Sequence, residues 1–288
     1  MHYREARVQP PLDAFVECVW FLTAAAPPAN GVPPDTQRIL PDGCIELVLH
    51  VADPFLAVSH LGSASPQPRA FVVGLQTRPF VVQAGGASDT IGVRFRPGGA
   101  CAFFPCPLAA LTDRAVSLDD LWGASAHQLW ERVAAARSDT ARLAIVEPAL
   151  LARLAAADHD RVTASAVGDF VRSAGRARVS FVAARAGVTT RHLQRRFAER
   201  VGVGPKALAR ILRFQNTLRL RAVCDGRRTD WVRIAAECGY ADQSHLIHDY
   251  AAFAGDTPAS LIAAEGELSS YFTAPQRLAA LFDGRRYG

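Results

Sequence analysis

With 288 residues, half of them hydrophobic and a fifth charged, the chain has room for two folded domains and the composition of an ordinary globular protein. No stretch approaches the roughly 20 apolar residues of a membrane span, and Met-His-Tyr-Arg-Glu opens no apolar leader, so neither an anchor nor a signal peptide is expected. The net charge of +5 is uneven: residues 161–262 hold sixteen Arg and one Lys against eight Asp and Glu, a net +9 that leaves −4 elsewhere, the footprint of a polyanionic partner. The six cysteines (Cys18, Cys44, Cys101, Cys106, Cys224, Cys238) show no CxxC spacing and are expected as reduced thiols in a cytoplasmic protein.

In chain order, Leu12 to Trp20 has the spacing of a short amphipathic helix running into apolar Val19-Trp-Phe-Leu22, with Trp20 and Phe21 expected in the core. An Ala/Pro-rich loop follows, Ala24 to Pro34. From Arg38 to Phe104 the pattern becomes that of strands. Cys44, Glu46, Val48 and His50 alternate with Ile45, Leu47, Leu49 and Val51, the period of a half-buried strand after a Pro41-Asp42-Gly43 turn. Phe71–Leu75, Arg78–Gln83 and Thr90–Arg96 read as further strands, separated by Gly-rich turns. Short strands at this spacing predict a small antiparallel sheet or barrel. Past Pro107 the pattern turns helical: a capping sequence Ser117-Leu-Asp-Asp120, then helices over Ala126–Ala136 and Thr140–Leu154. Ala155 to Arg161 is the expected linker.

The C-terminal half says nearly the same thing twice. Val182-Ala-Ala-Arg-Ala-Gly187 is answered fifty-two positions later by Ile234-Ala-Ala-Glu-Cys-Gly239, and His192 to Pro205 fifty-three later by His245 to Pro258. Two units are too few for a solenoid; a pair of DNA-reading units fits better. Each parses as helix, tight turn, helix. In the first, Phe181, Val182 and Ala186 give the short helix its apolar face, Gly187 ends it, Thr189 caps the next, and Leu193, Phe197 and Val201 face the core. In the second, Ile234, Ala235, Gly239, Asp242, Leu246, Tyr250 and Phe253 repeat the scheme. The opposite faces then hold Arg191, Gln194 and Arg195 in one unit and Gln243, Ser244 and His248 in the other, near the helix N-terminus where a recognition helix meets base edges. Arg suits guanine and Gln adenine. Between the units, Pro205 to about Val223 reads as one helix with Leu208, Ile211, Leu212, Leu218 and Val223 inward. Its length of roughly 28 Å is close to the roughly 34 Å of one duplex turn.

At this point the sequence resembles the AraC/XylS family of bacterial transcription regulators over residues 165–262. The resemblance rests on Ala-x-x-x-Gly-Val-Thr-x-Arg-His-Leu-Gln-Arg-Arg-Phe, Gly204-Pro205-Lys206, Ile-Ala-x-x-x-Gly-Tyr-x-Asp-Gln-Ser-His-Leu and Gly255-x-Thr-Pro258. It implies a bipartite DNA-binding domain with Thr189, Arg191, Gln194 and Arg195 on the first reader and Gln243, Ser244, His245 and His248 on the second. Family members commonly carry Arg where this chain has His248. The segments Leu40-Pro-Asp-Gly-Cys-x-Glu-Leu and Val93-Arg-Phe-Arg-Pro-Gly-Gly-Ala are similar to an uncharacterised N-terminal domain type attached to such regulators.

The fold expected is α+β: residues 1–158 a β-rich sensor or dimerisation domain ending in helices, residues 161–265 an all-α double helix-turn-helix, residues 266–288 a tail. The expected partners are double-stranded DNA across two successive major grooves and a small-molecule effector. RNA polymerase and a second copy of the chain are further candidates; a membrane is not. Glu46, Arg94 and Arg96 are the candidate effector contacts, solvent-facing arginines being the alternative for the last two. Cys44, Glu46 and His50 could ligate a metal but also read as a semi-polar strand face, and Cys101 and Cys106 could form a redox pair or be small hydrophobes. No cofactor and no enzyme signature is expected; an N-terminal enzyme or redox sensor tethered to DNA is the competing reading.

Overall fold

The computed structural model describes residues 1–27, 36–59, 61–154, 160–222, 229–263 and 281–282. Most of the expected linker, residues 223–228 with the last position of the expected long helix, and nearly all of the tail lie outside them.

The N-terminal half is built on two antiparallel sheets. Strands β1 (His2–Ala6), β2 (Val16–Ala24), β4 (Glu46–His50), β7 (Ala70–Val73), β9 (Ser88–Phe95) and β10 (Ala115–Ser117) form a six-stranded sheet in the order β1-β2-β9-β4-β7-β10. Strands β3 (Thr36–Ile39), β5 (Leu56–Val58), β6 (Ala64–Pro66) and β8 (Phe80–Gln83) form a second sheet, β3-β8-β5-β6. Helices α1 (Leu118–Trp122), α2 (Ala124–Ala135) and α3 (Asp139–Leu154) follow. Ser117 caps α1 by accepting from the Asp119 amide.

The expected helix over Leu12 to Trp20 is corrected. Only Leu12–Ala14 forms a single 3-10 turn, and the chain is extended from Val16. Its β-branched and aromatic residues also satisfy a period of two, and pairing to β1 on one side and β9 on the other decides between the patterns. The β4 strand is not half-buried either. Leu47 and Leu49 enter the large core under the helices, while Val48 belongs to a second cluster with Trp20, Leu22, Phe55, Phe71 and Val82 between the sheets. Both faces of the central sheet are therefore covered.

The large core continues unbroken into the C-terminal half, where Val167, Phe170, Leu193, Leu208, Tyr250 and others join it. That half comprises α4 (Arg161–Arg172), α5 (Val179–Arg185), α6 (Thr190–Arg200), α7 (Pro205–Ala222), α8 (Trp231–Glu237), α9 (Gln243–Ala254) and α10 (Pro258–Ala263). Helix α4 had no counterpart among the sequence-derived elements. Asp160 caps it, and Ala166, Val167, Phe170 and Val171 form its buried stripe. No helix among the described residues is long and apolar enough to cross a membrane.

Candidate nucleic-acid interface

The first unit is α5, a turn at Gly187 (φ +68°) and α6. The Thr189 hydroxyl accepts from the His192 amide, so the first turn of α6 starts where the repeat places it. Leu193, Phe197 and Val201 are buried, and Phe170 of α4 meets Phe197 edge-on. Arg191, Gln194 and Arg195 are left exposed on one side. One detail of the short helix is corrected: Phe181 is 57% exposed, and Val182 and Ala183 supply its buried side instead. Neighbouring residues on a helix point about 100° apart, and with Val182 and Ala183 turned to the core Phe181 is left on the outer side.

The second unit, α8 and α9 around Gly239 (φ +77°), copies this. Asp242 caps α9 by accepting from the His245 amide at 2.8 Å. Leu246, Tyr250 and Phe253 go inward; Gln243, Ser244 and His248 are exposed, and His245 is partly covered beneath the Tyr240 ring. Ile247, 38% exposed, stands at the repeat position of Gln194 and was not singled out from sequence, although the offset of fifty-three pairs the two.

Charged pairs fix the readers to their supports. Arg196 on α6 reaches the Asp160 carboxylate at 2.6 Å and donates from Nε to His192 Nε2 at 2.7 Å, while Arg195 lies against the same ring. Burial would raise the Asp160 pKa, but hydrogen bonds from Thr163 and Arg196 outweigh it and hold the carboxyl low. At the matching place on α9, Asp249 is fully buried and accepts from both Nε and Nη2 of Arg210 on α7 (3.0 and 2.6 Å). The α7 helix, eighteen residues or about 27 Å long, is the common spacer.

The N-terminal half touches all three parts. Thr112 donates to the carbonyl of Gly202 just after α6 (2.7 Å), Gln215 in mid-α7 donates to the carbonyl of Pro41 (2.6 Å), and Arg38 donates to the carbonyl of Ala254 at the end of α9 (2.8 Å). Gly43, at φ +84°, completes the Pro41–Gly43 turn, and a Cβ there would stand 3.1 Å from Leu208 on α7. The contacts at Gly202 and Ala254 lie at the C-terminal ends of the recognition helices, away from the exposed residues near their N-termini.

A cavity with about 700 Å³ of empty space, its open mouth included, lies between the two sheets. Trp20, Val48 and Phe71 form one wall, Ile39, Phe80 and Val82 the other. Trp20, expected simply as core, is thus a cavity wall. It lies flat across Gly92, where any Cβ would meet the indole at 1.9 Å. At one end, His50 Nδ1 lies 2.9 Å from Thr90 Oγ1 and Nε2 2.9 Å from Gln67 Oε1. The pairs are satisfied with Nε2–H donating to the amide oxygen and Nδ1 accepting from the hydroxyl. Burial lowers the His50 pKa to about 4 against the opposing Gln67 bond, so the ring is neutral.

Of the candidate effector contacts, Glu46 lines this cavity and the two arginines do not. Arg94 is 2% exposed and Arg96 5%, which removes the solvent-facing alternative for both. The Arg94 guanidinium is bound by Glu17, Asp42 and Glu46 together. A register shift between Val16 and Cys18 places a bulge at Glu17, which brings its carboxylate to Arg94. Arg96 instead donates to the Asp13 carbonyl. Among the described residues no three His, Cys, Asp or Glu side chains converge on a metal position: Cys44 precedes β4, Glu46 turns to Arg94, and both His50 nitrogens are engaged. Cys101 and Cys106 are both free, and burial pushes both thiols up, away from the reactive thiolate. Cys224 lies outside the described residues.

Two like units on one spacer, each turning a polar face outward near a helix N-terminus, define a double helix-turn-helix DNA-binding domain. Residues 182–264 match the family model described as a helix-turn-helix domain. Residues 4–117 match the model of a domain of unknown function. No curated protein matches the chain. Among solved structures, ToxT from Vibrio cholerae is similar at 11% identity and a TM-score of 0.46, over 84% of this chain and 98% of that one. ToxT bound to (E)-4-(8-methylnaphthalen-1-yl)but-3-enoic acid gives 12% identity and a TM-score of 0.45, over 91% of this chain and 99% of that one.

Proposed function

We propose that the protein is a sequence-specific transcription regulator whose two recognition helices enter successive major grooves and whose N-terminal domain binds an effector that changes that engagement. The observation that carries the first part is the pair of exposed faces beside buried stripes, Arg191, Gln194 and Arg195 on α6 and Gln243, Ser244 and His248 on α9, with Arg191 matched by Ser244, Gln194 by Ile247 and Arg195 by His248. Arginines and the capped helix starts at Thr189 and Asp242 set register on phosphates. Arg195 and Gln194 suit purine edges, and exposed Ile247 suits a thymine methyl group. With His248 in place of an arginine, the second unit carries less fixed charge and binds phosphate more weakly than the first. The setting is the cytoplasm, with RNA polymerase as the protein partner of promoter-bound chain. A monomer spans both grooves, so a homodimer would add a second pair of readers rather than complete the first.

Effector control is supported by the Pro41–Gly43 turn. Asp42 and its neighbours Leu40 and Cys44 line the cavity, while Pro41 and Gly43 abut Gln215 and Leu208 of the spacer. Whatever displaces the turn from inside bears directly on α7 outside.

Selection of full-length protein on random duplexes at two salt concentrations tests the reading. A two-part motif with centres about one helical turn apart is expected, with affinity falling steeply as salt rises. Salt-sensitive binding without any enriched sequence would refute base reading by the two faces.

A further inference from the structure

The hydrogen bonds at the His50 end of the cavity run in one direction and end on an open donor. The Thr90 hydroxyl donates to His50 Nδ1, and His50 Nε2–H donates to Gln67 Oε1, each across 2.9 Å. With its oxygen committed to the imidazole, Gln67 is left with Nε2, whose two N–H groups have no acceptor among the described residues. Gln67 is 7% exposed and lines the cavity. An amide donor held this far from bulk water costs free energy until something accepts from it. Hydrogen bonds linked in series also polarise one another, which strengthens the last donor of the chain.

Strand register fixes where the apolar surface lies relative to that donor. His50 pairs with Thr90; two residues along, Val48 pairs with Gly92, which Trp20 pairs with from the other side. Trp20 lies flat across Gly92, because no Cβ stands there, and gives the cavity an aromatic floor. Phe55, Phe71 and Phe80 line the same space. Two residues of strand span about 7 Å. A ring stacked on Trp20 therefore reaches Gln67 through a link of two or three atoms.

The group that meets Gln67 must accept a hydrogen bond, and it must do so without charge. An ammonium group has no lone pair to offer. A carboxylate has, but the side chains that meet at this end, His50, Gln67 and Thr90, include no cation, since burial holds the His50 pKa at about 4. A charge stripped of water beside neutral groups is far costlier than a carbonyl.

We infer that this cavity takes a ring-bearing apolar molecule with a carbonyl group two or three atoms from the ring (a ketone, ester, lactone or amide), and that Gln67 Nε2 donates to the carbonyl oxygen. This rests on the effector reading and specifies it.

The test is calorimetric titration of the full chain with 4-phenylbutan-2-one, its alkene isostere 2-methyl-4-phenylbut-1-ene, 4-phenylbutan-2-amine and 3-phenylpropanoate, weak binders being measured by competition. The ketone is expected to bind about fivefold tighter than the alkene, the worth of one net hydrogen bond, and about tenfold or more tighter than the amine or the carboxylate. Gln67→Glu keeps an oxygen for His50 Nε2–H but removes the donor, so the ketone should lose its advantage while the amine gains. Gln67→Met should make ketone and alkene equal, and Val73→Phe, which fills the cavity, should abolish binding of every member. Circular dichroism checks that each variant folds; should Gln67→Glu fail, Gln67→Met carries the comparison. An alkene, amine or carboxylate binding the native chain as tightly as the ketone, a ketone preference that survives the Gln67 variants, or no binding by any member would each overturn the inference. Operator affinity measured in parallel separates it from the effector reading. If Val73→Phe alters DNA binding while no ketone binds, the effector reading stands and the carbonyl ligand falls. If the ketone binds with the expected preference without changing operator affinity, the ligand class stands and effector control falls.

Discussion

The side-chain amide of Gln215 donates to the backbone carbonyl of Pro41 across 2.6 Å, joining the middle of the spacer helix to a turn of the N-terminal domain. Gln215 is 2% exposed, and its own Oε1 is buried with no partner among the described residues. Replacing it with Leu leaves the Pro41 carbonyl unpaired, at a cost of about 1–3 kcal/mol, but also removes the orphaned oxygen, which offsets part of that. A net loss of about 1 kcal/mol is expected in urea unfolding. A larger effect is expected on coupling: Val73→Phe, which fills the cavity between the sheets, should shift operator affinity in the native chain and no longer do so once the joint is cut. An unchanged response would place the coupling at Thr112 or Arg38 instead.

Arg195 is exposed on α6 and braced against His192, and it should contribute through a guanine edge. Arg195→Ala is expected to weaken binding to the selected operator by about 1–3 kcal/mol and to relax base preference at one position of the first half-site. A loss of affinity equal on all sequences would assign Arg195 to phosphate. Leu193→Ala is the contrast: its side chain is fully buried, and about 2–5 kcal/mol of stability should go with it.

Ile247 should matter only in the second half-site. Ile247→Gln, which copies the Gln194 position of the first unit, is expected to shift one base there from thymine toward adenine without changing thermal stability, since the side chain is 38% exposed. Selection with the variant reads this directly, and an identical enriched motif would remove Ile247 from the reader set.

The buried imidazole of His50 makes stability depend on pH in a stated window. Its pKa is lowered from 6.5 to about 4, so the unfolded chain binds a proton that the folded chain refuses between those values. The contribution is fully present above 6.5 and is lost as pH falls toward 4, on the order of 3 kcal/mol in all. Urea midpoints at pH 7, 6 and 5 should fall more steeply for the native chain than for His50→Gln. Parallel curves would show that His50 is not the group responsible.

The reader domain was legible because its logic is local. In α6 and α9 the buried stripe recurs within a single helix, so fixing Leu193, Phe197, Leu246 and Tyr250 also fixes which residues face out. Ile247 is less legible, since an exposed apolar residue beside the buried Leu246 does not stand out until the two units are aligned. The cavity was not legible because its walls come from segments far apart in the chain: Trp20, His50, Gln67 and Phe80 meet only through sheet pairing. The same non-locality hid the fate of Arg94. Nothing near it in sequence announces Glu17, which arrives by way of a bulge seventy-seven residues earlier. In β2, helical and extended spacings coincide over Leu12 to Trp20, and only the neighbouring strands choose.

The continuous core from Leu47 through Leu108 and Val167 to Leu208 and Tyr250 bears on how such a chain can be rearranged. A module that ends in a polar surface can be cut out and joined to a stranger. Here the cut would run through packed side chains, exposing Leu208 and Val167 on one piece and the Gly43 and Gly98 surfaces they cover on the other. Grafting a foreign sensor onto these readers is therefore a repacking problem, to be solved at the seam before any question of ligand arises.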